Sequence, residues 1–201
     1  MRCQHAFRMV AALAIGPALI ATMSGCVAGQ AIRLQHTAGS GPAFSTSKTV
    51  TVDAKDSRDF VVGGKKSPSY LGHFRAGFGN TWDVNNAGRR ALAEQFKQDL
   101  VAELQAHGIK TIASGERKLL IDIIDWNFDA YQNGRVWYEI ACSVADAKGT
   151  ELAKATVKDS KVIRGSFWTG PAGAFKRKVP GIYSDIIKEI LGKPDLQKAL
   201  Q

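Results

Sequence analysis

The sequence predicts an α+β fold, a two-layer sandwich in which an antiparallel sheet carries two helices on one face. Three observations predict it. Residues after about 117 alternate apolar and polar side chains with the period of strands. Helical apolar stripes occur at about 87–106 and 181–191. Turn signals separate the alternating runs. The order is strand, long loop, helix, three-strand meander, helix, and two helices on one sheet face bury every stripe.

Each element has its own justification. Val50 and Val52 alternate with Thr49, Thr51 and Asp53, which marks a half-buried first strand. Residues 61–86 are rich in Gly, Pro and aromatics and read as one long irregular loop. Leu92, Phe96, Leu100 and Leu104 fall four apart, so the helix that follows has one apolar face, and Gly108 ends it. The run "KLLIDIIDWNFDAY" puts Ile124, Trp126, Phe128 and Ala130 on one face. Val136, Tyr138, Ile140, Cys142 and Val144 do the same in the next strand, with Asn133-Gly134 as the hairpin turn between them. The stretch 146–149, "DAKG", makes another turn into the third strand. The last helix starts near Gly181, just past Pro180, and its stripe is Ile182, Ile186, Ile187 and Ile190.

The first 25 residues do not belong to this fold. Arg2 and Arg8 precede an apolar run from Met9 to Met23 that is too short for a stable bilayer span. The run ends in Met23-Ser24-Gly25-Cys26, which resembles the lipobox of bacterial lipoproteins. That resemblance implies acyl chains on Cys26 and cleavage after Gly25. Residues 1–25 are then a lipoprotein signal peptide. Residues 26–47, small and polar, are the lipidated cysteine and a flexible tether. Residues 48–201 are a single periplasmic domain.

Cysteine usage and charge agree with export. Cys3 lies in the signal and Cys26 is the attachment point, so Cys142 is the remaining thiol and no intramolecular disulfide forms. The chain has a net charge of +9, and removing residues 1–25 takes two arginines and no acid, leaving +7. An exported basic protein meets anionic lipid and acidic glycans rather than nucleic acid.

Four further features extend the resemblance: Asp56-Ser57-Arg58 after the first strand, "AHGI" at the end of the first helix, the "LLIDIIDW" strand, and the closing meander and helix. With the lipobox, the chain resembles the YajG-type lipoproteins of Gram-negative bacteria over most of residues 48–192. The resemblance implies a periplasm-facing domain at the outer membrane, anchored through Cys26, with no assigned chemistry. Val27 after the cysteine implies outer-membrane sorting by the same family rule. The long stretch 61–86 departs from the family pattern.

Candidate chemistry is sparse. His36, His73 and His107 have no second ligand at metal spacing, so no metal or cofactor is expected. His107 reads as a cation at a helix terminus. Cys142 reads as core. Asp125 and Asp129 read as solvated, and Asp122, on the parity of Trp126, is expected to face inward with Arg58 or another cation as its partner. The expectation is therefore a non-enzymatic protein. Two glycine-rich segments hold the candidate interaction residues: Tyr70, Phe74, Phe78 and Trp82 in one, and Trp168, Phe175, Lys176, Arg177 and Lys178 in the other. Aromatics among glycines either fold back on the domain as local core or, exposed together, form an aromatic patch with a basic rim, suited to another envelope protein. The alternatives are a periplasmic hydrolase acting on cell-wall material, or a module that binds anionic lipid or glycan.

Overall fold

A computed structural model of the chain describes residues 30–75, 80–131, 133–165 and 170–201. In chain order the elements are β1 (Gln30–Ile32), β2 (Val50–Asp56), α1 (Asp59–Val62), β3 (Tyr70–Arg75), β4 (Thr81–Asn86), α2 (Leu92–Ala106), β5 (Arg117–Ala130), β6 (Asn133–Asp146), β7 (Glu151–Arg164), α3 (Gly170–Leu191) and α4 (Pro194–Leu200). The seven strands form one open sheet in the order β1-β4-β3-β5-β6-β7, with β2 also on β5.

The α+β class is as expected, but the sheet is mixed rather than antiparallel. β2 and β3 both run parallel to β5, and β1 runs parallel to β4. Alternation marks a strand but carries no information about the direction of its neighbour. β2 lies along the first half of β5, from Val50 opposite Arg117 to Asp56 opposite Ile123. β3 takes over at its far end, with His73 opposite Asp129. The two are successive pieces of one edge, interrupted by residues 57–69.

The stretch 61–86, expected as a loop, therefore contains a β3–β4 hairpin of two short strands. Gly72 disguised it: the register shifts there, and a Cβ at this position would collide with Phe128. The expected tether at 26–47 is also corrected. From residue 30 onward it is built into the domain, with β1 in the sheet, Ile32 and Leu34 buried, and Phe44 packed against the core.

The helices α2, α3 and α4 share one core with the inner face of the sheet. α2 starts at Leu92 rather than 87 because Gly88 and Arg89 hold left-handed φ values of 72° and 56°. Gly108, φ 76°, ends it as expected. α3 begins at Gly170 and runs through Pro180, because Ala174, Phe175 and Val179 continue the buried stripe that Ile182, Tyr183 and Ile186 extend. Packing of that stripe outweighs the lost backbone hydrogen bond.

The inward positions of β5 switch from odd to even midway. Leu119, Ile121 and Ile123 are buried, as are Trp126, Phe128 and Ala130, and a bulge between Ile123 and Asp125 reconciles the two parities. Ile124, expected inside, is 41% exposed. Asn133 and Gly134 already belong to β6. Gly134 is needed for close approach, since a Cβ there would meet the Asp129 carbonyl and the Phe175 ring.

Candidate functional site

The gap between β2 and β3 leaves the middle of β5 without a strand partner on that edge, and Arg58 fills it. Its side chain is fully buried. Nε donates to Asp56 Oδ1 at 2.8 Å and Nη2 to Oδ2 at 2.6 Å. Nη1 donates to the carbonyls of Tyr70 at 2.7 Å and Trp126 at 3.2 Å, and Nη2 reaches Pro68 O at 3.4 Å. The Trp126 carbonyl lies in the stretch of β5 that neither β2 nor β3 pairs. The fork thus supplies donors where the backbone ladder has none. Phe60 of α1 covers the guanidinium, 5.2 Å from ring centroid to Cζ.

Of the partners expected for Asp122, Arg58 is taken by Asp56 and another cation serves; the inward placement of Asp122 is corrected. Asp122 points to the other face and pairs with Lys55 at 2.8 Å. Asp129 is held by Arg75, whose hydrogen bonds lower its pKa against a smaller upward push from burial. Burial raises Asp125, against a hydrogen bond from the Trp126 backbone. The three carboxylates are held by separate partners in separate surroundings.

A second buried group joins elements remote in sequence. Glu103 of α2 is fully buried. It accepts from His36 Nε2 at 2.9 Å, Gly39 N at 2.6 Å, Gly41 N at 2.5 Å and His107 Nε2 at 3.0 Å. His36 Nδ1 meets Ser184 Oγ of α3 at 2.9 Å. Burial pushes the Glu103 carboxyl up, but the bonds from His36, Gly41, Gly39 and His107 outweigh it and hold its pKa below the ordinary range. His107 stands at the C-cap of α2, as expected, and also bonds a buried carboxylate. Sequence reasoning missed this cluster because its members lie far apart, with Ser184 148 positions after His36. One signal was available: helical periodicity puts Glu103 beside Leu100 and Leu104 on the apolar face of α2.

The aromatic residues expected to be exposed separate into two groups. Tyr70, Phe74 and Phe175 are buried, which corrects their reading as exposed anchors. The Phe175 ring stands 6.3 Å from that of Phe74 and 5.1 Å from that of Phe128, so the start of α3 is pinned to β3 and β5 by core packing. Trp82 is 42% exposed, and Lys176, Arg177 and Lys178 are exposed. Phe78, Trp168 and Cys26 lie outside the described residues. Cys142 is buried, and burial pushes its thiol up to about 12, so it is not a thiolate near neutral pH. Among the described residues no group of His, Cys, Asp and Glu is arranged to hold a metal ion, and no helix is long and apolar enough to cross a membrane.

The outer face of β5, β6 and β7, opposite the helices, carries Leu120, Ile124, Trp137 and Val162 among charged side chains. Small side chains at Ala141 and Ser143 leave a hollow there of about 400 Å³, rimmed by Asp53, Lys55, Asp122 and Lys154.

The sequence matches no protein-family model and no curated protein. The fold does match solved structures. Protein XCC0632 from Xanthomonas campestris, described as a DUF330 protein, aligns with a TM-score of 0.57 at 12% identity, over 84% of this chain and 95% of its own. PelC from Paraburkholderia phytofirmans, solved as a dodecamer, aligns at 0.45 and 13%, over 81% and 95%. A minor lipoprotein from Acinetobacter baumannii aligns at 0.41 and 7%, over 75% and 94%. What the chain shares with XCC0632 is the α+β fold, spanning nearly the whole of that protein.

Proposed function

We propose that this chain is a lipid-anchored protein of the bacterial cell envelope, non-catalytic, whose domain binds another envelope protein. The observation that carries the reading is the sequence Met23-Ser24-Gly25-Cys26 directly after a positive start and a short apolar run. The narrower placements, a YajG-type protein at the outer membrane facing the periplasm, rest on the sequence resemblance and on Val27. The uncovered face of β5–β7 supports the binding role. Apolar side chains at Ile124 and Val162 stand 41% and 56% exposed there, and the helices occupy the opposite face.

The test has two parts. Fatty-acid labelling should mark the wild-type chain and not Cys26→Ser, which should also stay unprocessed; equal labelling of both defeats the anchor reading. A photoreactive group at Ile124 should crosslink an envelope protein in intact cells, and Val162→Lys should suppress that product. No crosslink from this face, with the protein membrane-bound, defeats the partner reading.

One observation favours a hydrolase: Ser184, His36 and Glu103 form a Ser-His-Glu chain. Its geometry is that of a staple. The side chain of His36 is 1% exposed, and Ser184 sits in the middle of α3, where backbone N–H groups are spent on the helix. An attacking hydroxyl needs free donors beside it for the oxyanion. Ser184→Ala should leave any cell-wall hydrolysis unchanged, and its loss in that variant would reinstate the enzyme.

A further inference from the structure

Strand register gathers several chain passages at one end of the sheet. Arg75 at the end of β3 faces Thr81 at the start of β4. Asp129 near the end of β5 faces both His73 and Arg135. Arg164 at the end of β7 faces Asn133 at the start of β6. α3 begins here too, fixed by Phe175 against Phe74 and Phe128. β1 runs parallel to β4 with Gln30 opposite Val84, so its first residue is the one nearest this end.

That placement constrains the anchor. Cys26 precedes Gln30 by four residues, and at no more than about 3.6 Å per residue it lies within about 14 Å of Gln30 on any path. A flexible tether of the length expected from sequence would leave the domain free to tumble. A leash this short holds one end of the sheet close to the bilayer.

The surface there suits such a place. Trp82 and Tyr131, 42% and 48% exposed, both lie at this end, whereas the exposed aliphatics Ile112 and Leu152 lie toward the other. Lys176 and Lys178 in the early part of α3 and Arg164 at the end of β7 are exposed as well. The acids in register here, Asp83 and Asp129, are already paired with Lys66 and Arg75. Trp and Tyr favour the layer where one edge of the ring is apolar and the other wet. Cations gain from anionic headgroups within a Debye length of about 10 Å, a distance the leash makes available.

We infer that this end of the domain rests on the headgroup layer of the membrane that holds the acyl chains. Trp82 and Tyr131 sit in the interface, and Lys176, Lys178 and Arg164 lie against anionic lipid. The inference depends on the anchor reading of Cys26. It gives the domain a fixed orientation, with the β2–β5 start and α4 pointing away from the bilayer.

The test uses the acylated, processed chain in vesicles of phosphatidylethanolamine and phosphatidylglycerol. An environment-sensitive fluorophore is placed at Tyr131→Cys or, separately, at Leu152→Cys; Cys142 is buried and Cys26 is blocked by lipid. These positions are about 40 Å apart at about 3.4 Å per residue, so headgroup-quencher lipid should quench the first at least about fivefold more than the second. Lys176→Glu combined with Lys178→Glu should reduce that quenching while the protein stays with the vesicles. Equal quenching at both positions, or more at Leu152, overturns the orientation. Protection of the Tyr131 label from both quencher lipid and aqueous iodide means a second copy covers this end, which also overturns it. An anchor failure is read separately: no fatty-acid label, and release by carbonate wash.

Discussion

Replacing Arg58 with methionine keeps much of the side-chain volume and removes every donor. The carboxylate of Asp56, only 10% exposed, then loses both bonds of the fork. The carbonyls of Tyr70 and Trp126 lose their side-chain donor at the break between β2 and β3. Removing one partner of a buried, hydrogen-bonded ion pair costs about 3–5 kcal/mol, chiefly because the other charge stays buried and unpaired. With a urea m-value of about 2 kcal/mol/M, the midpoint should fall by about 2 M. The melting temperature should fall by about 10 °C, since each kcal/mol is worth about 2–4 °C at this size. Arg58→Lys keeps the charge but not the fork, and should still lose at least about 2 kcal/mol. Arg58→Met combined with Asp56→Asn should be less destabilised than the two single changes added together, because the stranded charge is gone. Urea unfolding of protein lacking residues 1–26, followed by circular dichroism, measures all four variants. A loss below about 1 kcal/mol for Arg58→Met would show that water reaches the gap and that the fork does not hold the two half-strands together.

Other expectations follow from the same geometry. Glu103 has a depressed pKa in the folded chain, so its contribution is present above the ordinary glutamate value of 4.5 and lost as pH falls below it; unfolding curves of wild type and Glu103→Gln should differ at pH 7 and converge in acid. Cys142→Ser should lose about 1–2 kcal/mol by burying a hydroxyl and Cys142→Ala less, and unchanged stability for both would remove Cys142 from the core. Gly134→Val should cost at least about 2 kcal/mol in the same assay, as its side chain meets Phe175 and the Asp129 carbonyl.

Periodic features of the fold were readable from sequence. The stripe Leu92, Phe96, Leu100, Leu104 is fully buried, as are alternate residues of β6 from Val136 to Val144. What escaped depends on contacts remote along the chain. The hairpin of β3 and β4 is short and broken by Gly72, so its alternation was lost among loop-like residues. The bulge at Ile124 left no composition mark, and it inverted the faces assigned to the first half of β5. Residues 30–47 look like a linker by composition, yet a buried glutamate more than 60 positions away fixes Gly39 and Gly41. The glycines there read as flexibility, but they serve as backbone donors packed close to a carboxylate. Gly41 has no room for a Cβ beside Glu103. For the candidate site, the aromatic count was informative and the exposure was not. Tyr70, Phe74 and Phe175 share composition with Trp82 but face a core that only the long-range fold supplies.

The stapling of the N-terminal segment has a consequence for the order in which the chain is completed. Residues 30–41 are the first part of the domain to be made and, in an exported chain, the first part of it to enter the far compartment. Their partners come much later: Asn86 for Leu34, Glu103 for His36, then Ser184, 148 positions on. Thr46 waits longer, for the carbonyl of Leu200. The opening segment can therefore meet β4 and α2 midway through emergence, but its bonds to Ser184 and Leu200 close only when almost the whole chain is out. Folding with such distant contacts is slow, since loop closure precedes any compensating contact. A chain truncated before Ser184 would carry its β1 strand unsecured by α3, and truncated before Leu200 it would lack the acceptor that fixes Thr46. The sheet and α2 take up the beginning of the molecule first, and the carboxyl-terminal helices add its last bonds.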